Sequence, residues 1–189
     1  MSDLPPTTDG VLELHPDSPL RRAALEVEQH VAEAGWDQPP RLFALVRTAE
    51  LVAKQPELAA QVGDGADGSF TPIEQEGVPA EDFEDALTRL AWPDEVHGCA
   101  AVIERVMLPQ DAAEDLPEDP EAAAAALAEH PERQEVRLVA AVLREGGSHS
   151  AVRRRGGTGE PSGDSDLLEG PELVPGLVAL LDQTLAAEA

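Results

Sequence analysis

Leu20, Ala24, Val27, Val31 and Ala34 recur at helical spacing, while Arg21, Glu28 and Glu33 fall off that stripe. Ser18 suits an N-cap, Pro19 the first helical position and Gly35 the stop, so the pattern predicts a helix between them. From Arg41 to Thr48 the period changes to two. Leu42, Ala44 and Val46 share one face and Phe43 and Leu45 the other, which predicts an interior strand covered on both sides. Thr48 is placed to cap a helix running to Ala60 that Pro56 breaks or restarts. Thr71–Glu76 reads as a weak strand, Pro79–Leu90 as a helix with Phe83, Leu87 and Leu90 inward, and His97–Leu108 as a long strand. Asp119-Pro120 starts the Ala-rich helix Glu121–Glu129. Glu135–Arg144 and His149–Arg155, joined across Glu145, Gly146, Gly147 and Ser148, form the best hairpin signal. Pro171–Ala187 predicts a closing helix with Leu173, Leu177, Leu180, Leu181 and Leu185 inward.

The hairpin requires antiparallel pairing. The expected fold is therefore α+β: an antiparallel or mixed sheet of four to five strands with N- and C-terminal helices packed on it. A doubly wound parallel sheet is disfavoured because no strand ends in a phosphate-binding Gly turn. The 189 residues suit one domain, over 18–189, with loops expected to be mobile at 63–70, 109–120 and 156–169. Residues 1–17 form a polar, Pro-rich arm in which Val11–Leu14 can make a short edge strand or staple.

Charge narrows the partners. Acidic residues outnumber basic ones 38 to 13, for a formal charge of −25. Such a field repels phosphate backbones and anionic lipid, so neither nucleic acid nor a membrane is an expected partner; another protein is. Apolar runs fall short of the ~20 residues of a membrane helix. The start, Met1 to Pro6, lacks the basic and apolar regions of a signal peptide. The single cysteine, Cys99, can form no internal disulfide. A cytoplasmic protein is expected.

Motifs for chemistry fail on inspection. A calcium loop from Asp64 would carry Ala66, Gly68 and Gln75 where oxygen ligands belong. Gly156–Gly163 follows a strand, but it lacks the lysine of a phosphate loop and leads into Asp164 and Asp166. The histidines at 15, 30, 97, 130 and 149 are dispersed, and Cys99 lies on an apolar strand face with Ala101 and Ile103, as a buried thiol would. Ser148, His149 and Ser150 set hydroxyls beside an imidazole, but sequence adjacency makes no triad. No catalytic residue, cofactor or metal ligand is assigned.

Two features suggest an interface. Arg153 and Arg155 share a strand face and Arg154 takes the other, either guarding an edge strand or docking an acidic partner or the chain's own acidic linker. Trp36 with Asp37, and Trp92 with Asp94, stand at proline-bordered junctions, where tryptophan plugs a core or anchors a pocket or interface. The candidate surface is thus Trp36, Asp37, Trp92, Asp94, Arg153 and Arg155. The leading expectation is a non-enzymatic interaction or accessory protein that binds another protein through a sheet face or groove near the tryptophans. Its rival is a small-molecule binder or enzyme with a pocket between sheet and helices near Trp36, Trp92 and Asp94. A third idea is nucleic-acid mimicry by arrayed carboxylates.

Four segments carry a resemblance: EQHVAEAGWDQPPRLFALV over 28–46, AWPDEV over 91–96, HPERQEVRLV over 130–139 and LVPGLV over 173–178. Together they resemble a family of conserved, acidic, cytoplasmic actinobacterial proteins. The resemblance implies no reaction, cofactor or catalytic residue.

Overall fold

A computed structural model of the protein describes residues 18–156 and 166–186. Helix α1 (Pro19–Glu33) begins where Ser18 Oγ accepts the Arg21 N–H at 3.1 Å. It ends at Ala34, with Gly35 at φ +84°, the left-handed turn that glycine adopts without strain. Its buried face is Leu20, Ala23, Ala24, Val27, Glu28 and Val31. Glu28, expected off the stripe, lies within it, and Ala34 is an exposed cap rather than part of it.

Strand β1 (Arg41–Arg47) runs into α2 (Thr48–Lys54), a 3-10 turn at Pro56–Leu58 and α3 (Ala59–Val62), with Pro56 breaking the helix as its ring requires. Thr48 does not cap α2. Its Oγ1 lies 2.9 Å from Thr71 Oγ1 and so ties the end of β1 to β2 (Phe70–Gln75). Helix α4 (Phe83–Leu87) is one turn long, shorter than expected, and leads to β3 (Gly98–Met107). The stretch 109–120, expected to be a loop, contains α5 (Gln110–Glu114). Asp119 caps α6 (Pro120–Glu129) through the Ala122 N–H, and this Ala-rich helix buries no residue. The hairpin β4 (Gln134–Leu143) and β5 (Ser148–Arg154) follows, then β6 (Leu167–Gly170) and α7 (Pro175–Ala186). Val11–Leu14 and residues 157–165 lie outside the described residues.

The fold is α+β. Among the described residues six strands make one sheet in the order β2-β1-β3-β4-β5-β6, each neighbouring pair antiparallel. The sixth strand is β6, which begins within the expected loop 156–169 and pairs with β5 from Arg153↔Leu167 to Ser150↔Gly170. Strand β5 is therefore not an edge strand. The N- and C-terminal helices pack on opposite faces. Alternation along the strands sends Phe43, Leu45, Ala100, Val102, Val139 and Ala141 toward α1, and Leu42, Ala44, Cys99, Ala101, Ala140 and Val142 toward α7. The central alanines leave room for Leu20 and Val27 on one side and Leu181 and Leu185 on the other. Burying each such leucine contributes about 2 kcal/mol. Leu173, expected inward, precedes α7 and is exposed. The connection from β2 to β3 crosses β1 on the α7 face, carrying Phe83, Leu87 and Trp92 into that core. No described helix is long and apolar enough to cross a membrane.

Candidate functional site

On the α1 face, at the end where β3 finishes and β4 begins, apolar alternation gives way to charge. Glu104 of β3 and Arg137 of β4 are cross-strand partners, and Arg153 of β5 stands opposite Arg137. Arg137, 1% exposed, reaches Glu104 Oε1 at 2.9 Å and the Gly35 carbonyl, with Glu28 Oε1 at 3.8 Å. Arg153 grips Glu28 through a fork of 2.5 and 2.9 Å, which anchors α1 to the sheet. Glu104 Oε2 accepts the backbone N–H groups of Asp37 and Gln38, pinning the turn after α1 in which Asp37 takes φ +64°.

Trp36 lies on this network, with the Arg137 and Arg155 guanidinium carbons 4.6 and 5.5 Å from its ring centroid. Arg155 also holds the Asp37 carboxylate at 3.1 Å and pairs with Glu135. The structure thus brings together Trp36, Asp37, Arg153 and Arg155. Their partners Glu28, Glu104, Glu135 and Arg137 escaped sequence reasoning; the available signal was charge interrupting the apolar faces of α1, β3 and β4. Arg153 is engaged by Glu28 of α1, and because β6 pairs with β5 it guards no sheet edge.

Trp92 and Asp94 lie elsewhere. Trp92, 5% exposed, sits in the α7-face core and donates its Nε1–H to Thr184 Oγ1 at 2.8 Å. Asp94 stands exposed in the turn closed by the Val96 N–H to the Pro93 carbonyl at 3.0 Å. The two tryptophans occupy opposite faces of the sheet and share no pocket. Cys99 is buried beside Thr184, and burial pushes its thiol up to about 12. Among the described residues no group of three or more His, Cys, Asp or Glu side chains is set to hold a metal ion.

An open concavity lies at a different place. Between the C-terminal half of α1 and the edge of the sheet lies a cleft of about 390 Å³, lined among others by Glu26, His30, Glu33, Phe43, Pro72 and Glu74. Its geometry follows from register: Phe43 pairs with Glu74 and Leu45 with Pro72, so these side chains share the α1 face. Phe43 meets His30 edge-on at 6.3 Å. Glu74 lies 3.6 Å from both His30 Nε2 and Arg41 Nη1. Glu26 has no hydrogen bond or ion pair among the described residues. Partial burial pushes its carboxyl above the usual range, opposed only by His30.

Among the described residues the outer edge of β2 is unpaired, but it is blunted. Thr48 N–H bonds the Ser69 carbonyl, and His97 N–H on the β3 side bonds the Leu45 carbonyl. Residues 69, 71, 73 and 75 therefore aim their backbone groups at β1, while 70, 72 and 74 aim theirs outward. The outward set includes Pro72, which has no N–H to offer an added strand.

A family model described as PPA1309-like protein matches residues 20–186, from the first turn of α1 to the last of α7. The chain belongs to the PPA1309-like protein family. The match takes in both faces of the sheet, so the buried charge network and the α1–β2 cleft both lie within the PPA1309-like region. No curated protein matches the chain, and no solved structure does.

Proposed function

We propose that this PPA1309-like chain is a non-enzymatic interaction protein, and that it docks a segment of another protein in the cleft between α1 and β2. The observation that carries this reading is the cleft itself, an apolar floor of Val27, Phe43 and Pro72 rimmed by the exposed Glu26 carboxylate, which has no hydrogen bond or ion pair among the described residues. An exposed carboxylate beside an apolar floor attracts a cationic group to the rim, and so favours an apolar side chain that carries one beside it. Glu33 and Glu74 line the same cleft. The occupant that fits is an apolar side chain flanked by arginine or lysine. Because Pro72 blunts the β2 edge, recognition runs through side chains in the cleft rather than through strand addition. The rival pocket shared by Trp36 and Trp92 loses its support, since the sheet separates them.

The test is fluorescence anisotropy with two labelled peptides, each carrying one phenylalanine, flanked by arginines in one and by glutamates in the other. The arginine-flanked peptide binds, and Glu26→Lys weakens it about tenfold or more, because the reversal sets like charges against each other. Equal binding of both peptides, or indifference to Glu26→Lys, would contradict the reading.

A further inference from the structure

Away from that cleft, at the far edge of the sheet, side chains from two other elements close around one imidazole. His149 of β5 is 4% exposed on the α1 face, and its Nε2 lies 3.2 Å from Glu169 Oε2 on β6. Glu169 also takes a fork from Arg21 of α1, with Nε at 2.7 Å from Oε2 and Nη2 at 2.8 Å from Oε1. A single carboxylate thus bonds both α1 and β5 to β6. Strand β4 adds no charge here, because the residue opposite His149 is Ala141. The charged groups facing the ring among the described residues are Glu169 and Arg21. The second ring nitrogen, Nδ1, is buried and has no hydrogen-bond partner among the described residues.

We infer that this Arg21–Glu169–His149 clasp is an acid-sensitive latch that holds β6 against β5 and opens when His149 takes up a proton. The neutral ring suits the site: one nitrogen bonds Glu169 and the other needs only to be left unprotonated. Protonation makes Nδ1 a buried donor with no acceptor and sets a second cation beside the Arg21 guanidinium. The carboxylate that would offset it is already forked by Arg21. Opening β6, a strand of four residues with its outer side unpaired among the described residues, delivers the imidazolium to water at small structural cost.

The direction of the linkage follows. Burial holds the imidazole below its ordinary value, with Glu169 opposing and Arg21 reinforcing. In the open state the ring titrates normally, so between the two values the open state binds more protons. Closure is fully favoured above the ordinary imidazole range and weakens as pH falls below it. Glu169 does not confuse the reading. Burial alone would raise its carboxyl, but Arg21 and His149 outweigh burial and hold it below its ordinary 4.5, so it stays ionised through the window.

The test is amide hydrogen exchange on the full chain from about pH 7.5 down to about pH 5, corrected for intrinsic rates. Protection of the Leu168 and Gly170 amides, the two that the register aims at β5, falls by up to about tenfold per pH unit below about pH 6.5, the limit for one proton, while the β3 amides hold. His149→Gln, which keeps a donor for Glu169 and cannot titrate, removes the fall. A β6 loss that persists in His149→Gln, or β6 protection that does not change with pH, would overturn the latch. Should the variant fold poorly, the NMR titration of the His149 ring in the unmutated chain decides. A midpoint below the ordinary imidazole value supports the latch, and one at or above it refutes it.

Discussion

Glu28 shows how much depends on a single side chain. It is buried, it takes both nitrogens of the Arg153 fork, and it lies against Arg137, itself almost wholly inaccessible. Glu28→Gln keeps the shape and removes the charge, leaving two guanidinium groups with less than they need. The expected loss is about 3 to 5 kcal/mol, read as a lowered denaturant midpoint at unchanged slope. Arg89→Ala provides the contrast. Its ion pair with Asp85 is made by two largely exposed side chains, and its removal shifts stability by less than about 0.5 kcal/mol. Cys99 gives a chemical readout at the same scale. With its thiol pushed up to about 12 by burial, it resists a thiol reagent in the native protein and reacts in full once denatured.

At the scale of elements, the joints are narrow. Gly98 opens β3 where it pairs with Leu143, and a Cβ there would press on the Val142 carbonyl oxygen and the Leu143 side chain. Gly98→Ala therefore costs about 1 to 3 kcal/mol, measurable by thermal unfolding, because backbone cannot yield as a flexible side chain does. Much at this scale was legible beforehand. Ser18, Pro19 and Gly35 bracket α1 within a residue, and the Gly146-Gly147 turn with its flanking alternation marks the hairpin, because caps and turns are local physics. Strand β6 was not legible, since two leucines in a Gly-, Ser- and Asp-rich stretch form a strand only because β5 offers them an edge. Glu28 was misplaced for a related reason. A charge beside an apolar stripe reads as solvent-facing, and its partner Arg153 stands 125 residues away. The separation of Trp36 from Trp92 depends on which side of β1 the crossover from β2 passes, which no local pattern encodes. The α1–β2 cleft escaped because it exists only in the register of β1 with β2.

For the whole molecule, the formal charge of −25 sets two salt dependences of opposite sign. Stability rises as salt is added to a low-ionic-strength buffer, because screening weakens self-repulsion over a Debye length of about 10 Å at 0.1 M. Binding of a cationic segment in the cleft falls over the same range, because its attraction is screened too. A melting series and a binding titration in matched buffers check both. Stability that fell with salt would mean that the surface ion pairs outweigh the net field. The fold serves this division: the charge network and the two cores fix α1 against the sheet, and the rigid α1 holds Glu26 and His30 over Phe43.

The most direct test places a photo-crosslinking residue at Gln29, on the cleft, and at Asp182, exposed on α7 beyond the opposite face. The account predicts one discrete protein adduct from position 29, lost with Glu26→Lys, and none of comparable yield from position 182. No discrete adduct at 29, or equal adducts at both positions, would contradict it.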